Sequence, residues 1–119
     1  MKKYLPLLLL VLLAFAGCQS GPATYEMVTN PHDLVPNAEK FVNQVAKKSK
    51  HYKAEDWDAA IDQFVAMSKN YVEFGAYLTQ EEQMKFDNAR VNFMSAVDAN
   101  GSDDLAIRVK KVYADIVNR

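Results

Sequence analysis

Trp57, Ile61, Phe64, Ser68, Tyr71, Gly75 and Leu78 recur at alternating spacings of four and three residues. An α-helix brings side chains at that period onto one face, whereas a strand would need every second residue. The spacing predicts a helix starting near Ala54 with a seam that is apolar except at Ser68 and Gly75. Those two small residues are expected to let a neighbouring helix come close, Gly75 costing about 1 kcal/mol against alanine in a helix interior. Met67 and Phe74 widen the stripe, so this helix needs more than one neighbour.

The rest of the chain after Pro36 follows the same rule, for no further proline and no sustained alternation occurs there. Asn37 is placed to cap a first helix running to about Tyr52, with Phe41, Val42, Val45, Ala46, Ser49 and Tyr52 on its core face. Thr79-Gln80-Glu81-Glu82 is a capping-box sequence that opens a third helix. Phe86, Ala89, Phe93, Ala96 and Val97 form its core stripe, and Met84, Val91 and Met94 a second stripe well round the cylinder. Asn100-Gly101 ends it, Gly101 being suited to a left-handed cap. Ser102 then caps a fourth helix, with Asp103 and Asp104 in its first turn and Leu105, Val109, Val112, Ile116 and Tyr113 toward the core. Short connections join antiparallel neighbours, so the expected fold is all-α: an up-and-down bundle of three to four antiparallel helices.

The N-terminus reads as a targeting signal. Lys2 and Lys3 precede an apolar run, Leu5 to Ala16, that is shorter than the about 20 residues a membrane span requires. Phe15-Ala16-Gly17-Cys18 resembles the bacterial lipobox, which implies cleavage before Cys18 and attachment of diacylglycerol and a fatty acyl chain to that residue. Phe15 departs from the usual leucine. Ala14-Phe15-Ala16 also fits ordinary signal peptidase, which would release a soluble periplasmic protein. Cys18 is the chain's one cysteine and has no disulfide partner within it, which favours the lipidated form. By resemblance to lipoprotein sorting rules, Gln19 favours the outer membrane. With no acidic run after the cysteine, the expected location is its periplasmic face.

The chain therefore divides into a lipoprotein signal peptide over 1–17, a lipidated cysteine and flexible linker over 18–36, and a helical bundle domain over 37–119. Pro22, Pro31, Pro36 and Gly21 break any periodicity in the linker, which fully stretched reaches about 60 Å and as a coil about 23 Å. The formal charge of the whole is −1, and loss of Lys2 and Lys3 takes the remainder to roughly −3. No global basic field exists to attract nucleic acid.

Candidate chemistry is sparse. Glu55-Asp56, Glu81-Glu82 and Asp103-Asp104 pair carboxylates, but each pair sits at a helix start, where the backbone dipole favours negative charge. His32 beside Asp33 has no second metal ligand near it in sequence, and His51 no serine or cysteine to activate. No catalytic residue, metal site or cofactor beyond the covalent lipid on Cys18 is expected, and the chain does not read as an enzyme. Lys47, Lys48, Lys50, His51 and Lys53 make a basic cluster, best read as a solvated helix end with lipid phosphate as the competing partner. The expected function is a lipid-anchored module that binds a protein or envelope polymer through a helical face. Met84, Val91 and Met94 are the candidate contact if the third helix is peripheral, and core packing, the favoured reading, if it is central. The alternative is a carrier of a small apolar ligand or lipid, lined by Phe64, Phe86 and Phe93.

Tyr52-Lys53-Ala54-Glu55-Asp56-Trp57, Phe64, Tyr71 and Leu78-Thr79-Gln80-Glu81-Glu82 together resemble a group of small lipoproteins from Gram-negative anaerobes. Their shared pattern is a Tyr-x-x-Glu-Asp-Trp helix start, a Phe and Tyr stripe, and Leu-Thr-x-Glu-Glu. The resemblance spans residues 38 to 98. It implies a helical domain with no assigned activity and no site residues. Lys53 stands where that pattern tends to have a serine or threonine cap.

Overall fold

A computed structural model of the chain describes residues 22–118. Cys18 and the expected signal peptide, 1–17, lie outside them. The described residues form four α-helices: α1 (Leu34–Lys48), α2 (Ala54–Phe74), α3 (Gln80–Asn100) and α4 (Asp103–Val117). Single 3-10 turns at Pro31–Asp33, Ser49–His51 and Gly75–Tyr77 lead into α1 and join the first three helices.

Side-chain pairs give the directions. Phe64 stacks on Phe93 and Tyr71 on Phe86, so rising numbers on α2 meet falling numbers on α3 and these two run antiparallel. Ser49 at the end of α1 meets Asn100 at the end of α3, and Asp58 and Phe64 of α2 meet Arg108 and Tyr113 of α4. Helices two apart are therefore parallel, and the bundle is up-and-down. The closest backbone approaches are between those parallel pairs, α1 with α3 and α2 with α4. Between α2 and α3 stand large stacked rings; between α1 and α3 the facing residues include Ala89, Ala96 and Ala99, which need little room.

One core runs through all four helices. Phe41, Phe64, Phe86 and Phe93 are fully buried, and Phe93 stacks on both Phe41 and Phe64 with ring centroids 5.8 and 4.4 Å apart. The expected core stripes of α3 and of the Trp57 seam are buried from Trp57 to Ser68, while Ala46, assigned to the core face of α1, is exposed. Trp57 meets Tyr52 edge-on at 5.1 Å. Its buried Nε1 has no hydrogen-bond partner, a cost of about 1–3 kcal/mol offset by the indole's buried area.

The helix ends follow local chemistry with three departures. Thr79 Oγ1 accepts from Glu82 N at 3.1 Å and a Glu82 carboxylate oxygen accepts from Thr79 N at 2.9 Å, so the capping box is complete. Ser102 Oγ accepts from Leu105 N as expected. Asn37, however, is not a cap: α1 starts at Leu34, and Pro36 occupies its first turn, where a missing N–H costs nothing. Gly101 is extended, with φ −100° and ψ −176°, and not left-handed. It is needed for space, because a Cβ there would lie 2.9 Å from the Val97 carbonyl oxygen. Gly75 falls just beyond α2, where an added Cβ would make only ordinary contact with the Tyr71 ring, so it marks no close helix crossing.

The largest departure concerns the expected flexible linker, 18–36. Residues 22–30 are extended along the bundle with Ala23, Tyr25 and Val28 buried in the common core. This strap fills the space between α1 and α2 and turns at Pro31–Asp33 into α1. Enough apolar side chains lie in it for burial to outweigh the cost of ordering the backbone.

Candidate functional site

Three features of the described residues bear on function: the strap, the outer face of α3, and a polar groove between α1 and α3.

The strap is held by polar groups as well as by its apolar side chains. Ala23 N donates to Tyr52 Oη at 3.0 Å, and Tyr25 N to Gln63 Oε1 at 2.7 Å. Asn37 Nδ2 donates to the Glu26 carbonyl from α1. At its far end stands Asn70, fully buried in α2. Its side chain accepts from Tyr25 Oη and Val28 N and donates to the Val28 carbonyl at 3.3 Å. An asparagine supplies both a donor and an acceptor in one plane, which is what an extended backbone segment presents. Burial pushes the Tyr25 phenol up to about 12. None of Asn70, Gln63 or the Asn37 contact was anticipated. The available signal was a polar residue at position 70 between the apolar Met67 and Phe74, on the side where the stripe of α2 widens.

On α3 the second apolar stripe divides. Met84 is 61% exposed and Val91 45% exposed, seven residues apart on the outer face. The packed reading therefore fails for these two: α3 is central to the core through one face only. Met94 is partly buried against the core instead. It follows Arg90 by one turn, and Arg90 lies over the Tyr113 ring of α4 at 4.9 Å while bonding Asp87 at 2.8 Å. That side of α3 is closed by α4, so Met94 packs while Met84 and Val91 stay outside.

Phe64, Phe86 and Phe93, the expected apolar-ligand lining, are fully buried and packed against other rings. Phe64 and Phe93 stack on each other, and Phe86 lies against Tyr71 with centroids 4.0 Å apart. The clefts at the surface are elsewhere. Two adjoining ones form a groove between α1 and α3, sharing Val42, Asn43 and Asn92, with Glu39, Lys85 and Asn88 toward one end and Asn100 toward the other. Its floor is aliphatic and its walls carry the carboxamides of Asn43, Asn88, Asn92 and Asn100, which can donate and accept hydrogen bonds, with the charged Glu39 and Lys85 at one end.

The paired carboxylates serve the helix ends. Asp56 accepts from Lys53 N at 2.9 Å. The Thr79 backbone N–H holds the Glu82 carboxyl below its usual range, outweighing the opposing effect of desolvation, and His32 at 3.4 Å adds to the lowering. His32 lies in the 3-10 turn before α1. Among the described residues no group of three or more His, Cys, Asp or Glu side chains converges, and no helix is long and apolar enough to cross a membrane.

In comparisons with known proteins, no family model, no curated protein and no solved structure matches the chain.

Proposed function

We propose that the chain is a lipid-anchored protein of the bacterial envelope, acylated at Cys18 and held on the periplasmic face of the outer membrane. Its bundle binds a protein or another envelope component and performs no catalysis. The resemblance to small lipoproteins of Gram-negative anaerobes supports the same reading. The observation that carries the binding role is the uncovered pair Met84 and Val91 on the outer face of α3. Val72 and Ile107 are also exposed on other helices, but two apolar side chains placed a heptad apart on one face offer a ridge for a partner helix or an apolar strip of polymer. The polar groove between α1 and α3 flanks that ridge and would supply hydrogen bonds at its rim.

The experiment is crosslinking in cells of the lipidated protein, with Met84→Asp and Val91→Asp together as the probe. A crosslinked species lost in the double variant, at unchanged thermal midpoint, supports the ridge as the contact. An identical crosslinking pattern in the variant removes it. Met94→Asp is the contrasting change: it is expected to lower stability, because Met94 packs on the core.

A further inference from the structure

The strap begins at the end of the bundle that carries its densest basic cluster. Lys47, Lys48, Lys50 and Lys53 crowd the turn between α1 and α2, and among the described residues none of the four takes part in an ion pair. Ala23 is bonded to Tyr52 Oη in that same turn. Cys18 lies only five residues before this anchored amide, so the chain between them spans at most about 17 Å however it is disposed. The opposite end of the bundle, with Tyr77, is the length of α2 away, about 30 Å. A docked strap thus replaces the long free leash that the linker's length alone would allow. Of all the bundle's surface, the corner between α1 and α2 is the part kept nearest the anchor.

We propose that this corner is the membrane-facing surface, its lysines contacting the phosphates of anionic phospholipids in the leaflet that holds the acyl chains. The inference rests on acylation of Cys18 as read above. The attraction between unpaired ammonium groups and a charged surface fades over about one Debye length, near 10 Å at 0.1 M salt; a leash of at most about 17 Å lets this corner come within that range, while the far end of the bundle stands about 30 Å further off. The acidic residues at the same end, Glu55, Asp56, Asp103 and Asp104, occupy the first turns of α2 and α4, whose positive helix ends offset part of their charge.

The test uses full-length lipidated protein, its acyl mass verified by intact mass spectrometry, in phosphatidylcholine vesicles with and without phosphatidylglycerol. A fluorophore is placed at Lys50→Cys or at Tyr77→Cys, Cys18 being blocked by its lipid, and quenched by a spin label on the lipid headgroups. Quenching several-fold stronger at position 50 than at 77 is expected. It should weaken without phosphatidylglycerol and in a Lys47→Gln, Lys48→Gln, Lys53→Gln background. Equal quenching at the two positions, or more at 77, in protein that carries its acyl mass overturns the proposed orientation. Quenching at 50 that ignores both the lipid charge and the lysine changes overturns the phosphate contact. Protein made in its native host without acyl mass overturns the anchor reading, and this inference with it.

Discussion

The side-chain oxygen of Asn70 accepts two hydrogen bonds at once, from Tyr25 Oη at 2.7 Å and from Val28 N at 2.9 Å. Both donors belong to the strap, and Asn70 belongs to α2, more than forty residues later. A single buried amide therefore ties the far end of residues 22–30 to α2, beside the contacts from Tyr52, Gln63 and Asn37.

Asn70→Ala should uncouple them. It leaves a phenol and a backbone N–H buried without an acceptor, at a cost of about 3 kcal/mol in total. Urea denaturation should show that loss, and amide exchange over residues 23–28 should quicken more than exchange in α3. Unchanged protection of Val28 would mean that apolar burial alone holds the strap.

Tyr25 should make the strap sensitive to alkali. Its pKa rises from 10.0 to about 12 on folding. The group contributes stability that is complete below pH 10 and is lost as pH climbs toward 12, because the unfolded chain releases the proton first. Phenolate also has no proton to donate to Asn70. A difference titration at the phenolate absorption band, native protein against Tyr25→Phe, should show one tyrosine ionising last and together with loss of structure. Burial also raises Tyr52 and Tyr113, so delayed ionisation of those two remains in the variant, and the phase that must disappear is the latest one. An unchanged latest phase in Tyr25→Phe would assign it elsewhere.

The two glycines of the bundle should respond oppositely to alanine. Gly101→Ala places a Cβ 2.9 Å from Val97 O and 3.3 Å from a Leu105 methyl, so the turn between α3 and α4 must shift. A loss of about 1–3 kcal/mol is expected. At Gly75 the nearest atoms are the Tyr71 ring at 3.7 Å and φ is −55°, so alanine fits and restricts only the unfolded chain. There a gain of up to about 1 kcal/mol is expected. Thermal melts of the two variants check both signs.

Legibility differed from place to place for physical reasons. The capping box at Thr79 and the cap at Ser102 are complete within four residues of sequence, so side-chain chemistry alone specifies them. At Asn37 the same logic misled, because an asparagine beside a proline also suits a residue that donates to a strap carbonyl. Met84 and Met94 look alike in a periodicity plot. They separate only because Arg90 and Tyr113 close one side of α3. Trp57 through Ser68 kept their seam, whereas Gly75 dropped out once the last turn of α2 tightened into a 3-10 turn.

By itself, the amino-acid order determined an up-and-down bundle of three to four helices, their alternating directions, most of their buried faces and the caps that start two of them; that there are four is seen in the structure. Those features rest on interactions between residues a turn or less apart, plus loops too short to do anything but reverse the chain. Tertiary structure decided which helices approach most closely, which apolar side chains of α3 remain outside, and that residues 22–30 are docked. Each of these depends on groups separated by tens of residues meeting in space, Asn70 with Tyr25 above all, and neither spacing nor composition records such a meeting.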